Sequence, residues 1–299
     1  MCIWDFITKI RRIKKVYKNW LSAATSIIFR RNQVYVILKN DIKIRLPVSA
    51  VIGLILLTKD NKFDPFSFNK IKNCLYYKNN KINTESSESV LLSANGWKKT
   101  NNLWINPKLR IKMLDINYSM YEIFHLGDYD YFSVKNREVV DIGANIGDSA
   151  IFFILRGAKK VYAFEPIPSL YRIMLENIKL NNLENKIIPF NVAVDSRNKK
   201  IKIREDKKIL EIPCYSLKTV LNFVDDPYLL KIDCEGCEFD IILNSEEVSE
   251  FEKIILEYHC NFFGFCKKKL IRKLEKLNFK CREIKRNSEK SGIIYCEKK

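Results

Sequence analysis

The 299-residue sequence has no apolar run long enough to cross a membrane. Its longest, Val48 to Leu57, is about half of the roughly 20 residues that a spanning helix needs, so it reads as a buried helix. The opening segment, MCIWDFITKIRRIKKVYKNW, is basic but leads into no long apolar stretch or small-residue cleavage site. No secretory signal is expected, and the chain is expected in the cytoplasm. Internal repeats and low-complexity tracts are missing too, which excludes solenoids and arrays. Histidine is scarce: two residues must cover any imidazole chemistry. Cysteine is not scarce, but nine of them, an odd number without framework spacing, point to reduced thiols, and disulfides are not expected.

The sequence does have positive charge, +18 in all, and enough hydrophobic residues, 47%, for a substantial core. Such a charge attracts nucleic acid, anionic lipid or phosphorylated substrates. Lysines solvated over every helix, as in KKKLIRKLEKL at 267–277, account for it equally well.

Apolar residues at helical spacing between basic ones predict one amphipathic helix from Phe6 to Phe29. Its stripe suits peripheral membrane contact or packing against the body of the protein. VYVIL and IKIRL around a polar turn predict a hairpin, and residues 60–87 read as loops and short elements. Residues 90–132 carry Trp97, Trp104, Tyr118, Tyr121, Phe124, His125, Tyr129, Tyr131 and Phe132. That load suits a substrate-side cover, with core packing the ordinary fate of most such rings. After Arg137 strands alternate with helices, which predicts a parallel sheet covered on both faces, closed by the antiparallel pair FKCREI and GIIYC. The expected division is an N-terminal α+β extension at 1–130 and an α/β, Rossmann-like domain at 131–299.

Strand REVVDI runs into Gly143-Ala-Asn-Ile-Gly147 and then a helix, a turn where backbone N–H groups meet a ligand. Dinucleotide sites have a glycine at the middle position of G-x-G-x-x-G, where this chain has Asn145. A G-x-x-x-G loop preceded by Asp141 suits a ligand without pyrophosphate whose ammonium group faces the acid. Glu165, ending the second strand, lies at the spacing that places a carboxylate on ribose hydroxyls. Asp141, Gly143, Asn145, Gly147 and Glu165 therefore make a candidate site for S-adenosylmethionine. The competing reading is a structural turn with Glu165 capping the next helix ahead of Pro168.

The blocks VVDIGANIGDSAIFF, VYAFEPIPSLYRIMLENIKLNN and LLKIDCEGCEFDIIL resemble the FkbM family of class I methyltransferases across about residues 118–260. The D-x-E-G-x-E block is the most specific of the three. Cys234 and Cys237 depart from it, because the family more often has small aliphatic residues there. The resemblance implies a class I methyltransferase fold, S-adenosylmethionine as cofactor, and O-methylation of a hydroxyl on a glycan or small natural product.

Asp233, at the end of LLKID, is followed by Glu235 and Glu238, with His259 ending a neighbouring strand. Asp233 is the leading candidate for base or positioning group, His259 the alternate base, and Glu235 and Glu238 their support. A magnesium site and simple helix-start complementation compete for the acids; no metal is assigned. A zinc site of Cys234, Cys237, Cys260, Cys266 and His259 is disfavoured by its single C-x-x-C pair. Two other functions stay open: an RNA methyltransferase, and a non-catalytic protein retaining a nucleoside pocket.

Overall fold

The computed structural model describes residues 3–72, 74–260, 267–286 and 290–299, and the chain divides into units 1–126 and 127–299. In the second unit the elements run β1 Glu138–Ile142, α1 Asp148–Leu155, β2 Lys160–Phe164, α2 Pro168–Leu180, β3 Ile187–Phe190, β4 Pro227–Ile232, α3 Cys237–Asn244, β5 Lys253–His259, α4 Lys267–Lys276, β6 Phe279–Arg286 and β7 Ser291–Lys298. They form one seven-stranded sheet in the order β3-β2-β1-β4-β5-β7-β6. β1 to β5 are parallel, while β7 is antiparallel to both β5 and β6. This is the mostly parallel, Rossmann-like sheet that the alternation predicts, hairpin included. Strand order reverses between β1 and β4, so their carboxyl ends flank the crevice where an open α/β sheet binds ligands.

All five residues of β1 are buried, as a central parallel strand covered on both faces requires. One side chain ties together the segments that enter β1, β4 and β5. Arg137 donates to both oxygens of Asp226 at 2.7 and 2.8 Å and to Glu252 at 2.8 Å, with its guanidinium 3.8 Å from the Tyr228 ring centre. The Arg137 hydrogen bonds hold the Asp226 carboxyl below its ordinary pKa.

An additional three-stranded sheet lies between β3 and β4. Strands Lys199–Glu205 and Lys208–Ser216 pair antiparallel around Asp206 at φ 53°, and Ala193–Asp195 runs parallel to the second. Its alternating I-K-I-R and I-L-E-I pattern is a legible strand signal.

In the first unit, the single helix expected at 6–29 is two, Ile3–Val16 and Trp20–Ile28. The break has a local cause. Lys18 N donates to Ile37 O and Lys39 N to Val16 O, so the backbone beside Tyr17 pairs with the hairpin instead of continuing the helix. The predicted hairpin is present as Gln33–Ile37 against Lys43–Pro47, and Val48–Leu56 forms the buried helix. Trp97, Trp104 and Tyr121 are buried. Trp97 Nε1 donates to His125 Nε2 at 2.8 Å, and burial lowers that imidazole to about 4, so His125 is a neutral core acceptor. No helix among the described residues is long and apolar enough to cross a membrane.

The expectation of reduced cysteines is overturned at two places: Cys234–Cys237 and Cys281–Cys296 are disulfides. The first spans the turn into α3. The second joins residues directly opposite in β6 and β7, a proximity set by strand register and invisible to spacing rules. The zinc reading loses two thiols to the first bridge, and Cys266 lies outside the described residues.

Because the Asp226 carboxyl is lowered in the fold, the unfolded chain binds the proton more readily. Stabilisation by Arg137 is then fully present above the unfolded value near pH 4 and lost as pH falls through the folded one. Urea unfolding should show Arg137→Ala less stable than wild type by about 1 kcal/mol at pH 7, the gap narrowing as the pH falls below the ordinary carboxylate range. A gap that persists in acid would remove the ion pair as its cause.

Candidate active site

The turn after β1 is shaped by protein contacts first. Gly143, Asn145 and Gly147 have φ of 78°, 50° and 86°, in the left-handed region that glycine and asparagine tolerate. A Cβ on Gly143 would lie 1.8 Å from the Asp233 carbonyl oxygen. Glycine is required there because the loop passes against the end of β4. The backbone N–H of Asn145 donates to Glu165 Oε2 at 2.9 Å, and that of Ile167 donates to Oε1 at 2.8 Å. Glu165 thus caps the entry to α2 and braces the loop at once. Each oxygen keeps a further lone pair for a ligand hydroxyl. Burial raises the Glu165 pKa above the ordinary carboxylate value despite the two N–H donors.

Asp141 is fully buried, and the ammonium it faces belongs to the protein. Lys231, the penultimate residue of β4, has its Nζ 2.9 Å from Asp141 Oδ1 and donates to Gly143 O at 2.7 Å. Ser149 donates to Asp141 Oδ2 at 2.6 Å. Burial alone would lower the Lys231 pKa, but Asp141, Asp233 and Asp148 outweigh it and hold the amine charged. The same ammonium lies 5.5 Å from the Tyr129 ring centre. Lys231 was not among the expected site residues, although a lysine inside the apolar run YLLKI demands a buried partner.

Beside the loop is a cavity of about 270 Å³. Gly143, Phe164, Ile167, Val192, Ala193 and Cys214 are among its lining residues, and the additional sheet supplies part of the wall. An apolar slot of this size next to a buried carboxylate suits the purine and ribose of an adenosine.

At the end of β4, Asp233 Oδ2 accepts from Tyr129 OH at 2.9 Å. Burial first, and then the Asp233 charge, push the Tyr129 phenol well above its ordinary value, so it stays a donor. Glu238 is fully buried and serves the backbone, accepting from Gly236 N and His259 N at 2.8 Å each. Glu235 is 74% exposed, with its Oε2 3.7 Å from His259 Nε2. Burial alone would lower His259, but Glu238, Glu235 and Glu257 overcome it and push the imidazole up to about 9. Asp233, Glu235 and His259 therefore do come together, with Glu238 behind them; of Asp141, Gly143, Asn145, Gly147 and Glu165, Gly143 lines the neighbouring cavity.

Replacing one partner of a buried pair leaves the other charge uncompensated. Lys231→Met should cost about 3–5 kcal/mol in urea unfolding, and adding Asp141→Leu should recover most of it. If the double variant is no more stable than Lys231→Met alone, Lys231 is not held by Asp141.

Residues 141–281 match the family described as the methyltransferase FkbM domain. The chain is 32% identical over 108 residues to tRNA (guanine(37)-N(1))-methyltransferase Trm5b of Methanocaldococcus jannaschii, covering 35% of this chain and 30% of that protein. It is 28% identical over 131 residues to uncharacterized protein 158B of Sulfolobus islandicus rod-shaped virus 1, covering 44% of this chain and 66% of that one. The chain thus spans less than two thirds of either relative. Among solved structures, methyltransferase FkbM from Methylobacillus flagellatus aligns with TM-score 0.42 and 18% identity over 55% of this chain and 44% of that one. M. jannaschii TYW2 in complex with AdoMet aligns with TM-score 0.38 and 18% identity over 67% and 83%. The family match runs from the end of β1 into β6, so this part of the chain is similar to the methyltransferase FkbM domain.

Proposed function

We propose that the second unit binds S-adenosylmethionine and transfers its methyl group to a hydroxyl oxygen of a glycan or small natural product. The observation that carries this reading is the apolar cavity of about 270 Å³ beside Glu165, opening where β1 and β4 part. Glu165 is positioned to accept from the ribose hydroxyls, and Ile167 and Val192 to flank the purine. When bound, the cofactor supplies an electrophilic methyl group on a sulfonium. The chain's task is to hold an acceptor oxygen in line and take its proton. Asp233 is the residue for both. Tyr129 fixes its Oδ2, which leaves Oδ1 to accept from the incoming hydroxyl. His259, carrying a proton at neutral pH, is not the base in this account. Glu238 holds the turn, and Asp141 keeps Lys231 in place rather than meeting the cofactor's ammonium.

Acceptor choice is assigned to the first unit. It has its own groove of about 500 Å³, whose lining includes Tyr76, Asn80, Asn83, Lys81 and Lys98, a set rich in hydrogen-bonding groups. A second reading, methylation of RNA, is favoured by the Trm5b similarity and by the charge of +18. Affinity for RNA that falls steeply with salt, together with methyl transfer to it, would establish that reading over the first.

Protonating Glu165 removes an acceptor, so affinity for S-adenosylmethionine should fall as pH drops through its raised pKa. Calorimetry on Glu165→Gln should show about 1–3 kcal/mol weaker binding at pH 7.5 and little pH dependence. Wild-type affinity in that variant would remove Glu165 from the ribose. For the transfer step, the acceptor is found by a gain of one methylene mass in extracts incubated with enzyme and cofactor. Asp233→Asn should then lower turnover by about 10²–10⁴-fold with cofactor affinity unchanged. Full turnover would eliminate Asp233 as the base.

A further inference from the structure

We propose that Asp233, Glu235 and His259 form a binding site for a divalent first-row cation, with Mn²⁺ the best match to the donor set. Asp233 follows β4 and His259 ends β5, adjacent parallel strands, and Glu235 comes from the turn between β4 and α3. One ligand atom from each of the three lies within 4.8 Å of the others. Metal–ligand bonds of about 2.1 Å put neighbouring ligands about 3 Å apart and opposite ones about 4.2 Å apart, so a pair at the 4.8 Å limit lies about 0.6 Å beyond the spacing of opposite ligands.

The contacts within the cluster point the same way. His259 Nε2 stands 3.7 Å from Glu235 and 3.8 Å from Glu257, too far for hydrogen bonds and far enough apart to admit an ion between them. Behind the ring, the fully buried Glu238 lies 3.4 Å from Nδ1, the nitrogen a metal-bound imidazole turns toward a carboxylate. Nδ1 has no hydrogen-bond partner of its own. On the other flank Tyr129 holds one oxygen of Asp233. One imidazole with two carboxylates suits manganese better than magnesium, which prefers oxygen alone, or structural zinc, which prefers sulfur and nitrogen.

A cation here would bind and acidify the acceptor hydroxyl, a role that rests on the proposed methyl transfer; the binding itself does not. The test uses full-length protein without a polyhistidine tag, stripped with EDTA and dialysed. Electron paramagnetic resonance follows the loss of the free Mn²⁺ signal as the metal is added. One equivalent per chain should be taken up. Glu235→Gln and His259→Gln should each weaken uptake at least tenfold, and Glu238→Gln by about tenfold through the ring it orients. Glu235 is exposed, so its variant carries the test if the buried substitutions disturb folding. Mn²⁺ that stays free, or uptake unchanged in Glu235→Gln, overturns the site. S-adenosylmethionine titrated into the same stripped protein separates the two claims. Cofactor binding without Mn²⁺ uptake sinks the cation site alone, and Mn²⁺ uptake without cofactor binding sinks the methyl-transfer reading alone.

Discussion

A lysine buried at the centre of a parallel sheet organises this site. Lys231 sits in β4, yet its amine reaches across to Asp141 at the end of β1 and to the carbonyl of Gly143 beyond it. Removing an ammonium and a carboxylate from water costs several kcal/mol each, so neither residue is tolerable without the other. The pair therefore couples the two strands that flank the crevice, and through Gly143 it holds the loop that approaches Asp233. Tyr129 rests near the same ammonium and donates to Asp233. One ion pair thus sets the spacing between the loop braced by Glu165 and the carboxylate proposed as base.

The electrostatic character of the site differs from that of the chain. Its net charge is +18, but the end of β4 and β5 gathers Asp233, Glu235, Glu238 and Glu257 around His259. These acids are not equivalent. Glu238 is committed to backbone N–H groups, Asp233 to Tyr129, and Glu235 extends into solvent from a residue at φ 55°. Their joint effect keeps His259 protonated at neutral pH, which separates it from the role that its position alone suggested.

Much of this was legible in the sequence. Five parallel strands and the closing hairpin follow from apolar runs of the right length, because a strand covered on both faces has little freedom in composition. The loop residues and Glu165 follow from their place at strand ends. What escaped was set by register and pairing. The Cys281–Cys296 bridge depends on which residues oppose one another in β6 and β7. Tyr129 meets Asp233 across 104 positions of sequence. The helix break at Tyr17 comes from hydrogen bonds to a hairpin, not from a helix-stopping residue. Asp141 was read as facing a ligand because its partner lies 90 positions further along the chain, on β4. The strands at 199–216 had a readable alternation, and their importance appears only where they wall the cavity.

The central claim is that the cavity beside Glu165 holds the adenosine of S-adenosylmethionine. Intermolecular nuclear Overhauser effects between the adenine protons of S-adenosylhomocysteine and the methyl groups of the protein test it directly. The account predicts contacts to Ile167, Val192 and Ala193. A ligand that binds but shows its adenine contacts elsewhere, for example to Ile82 in the groove of the first unit, would contradict it.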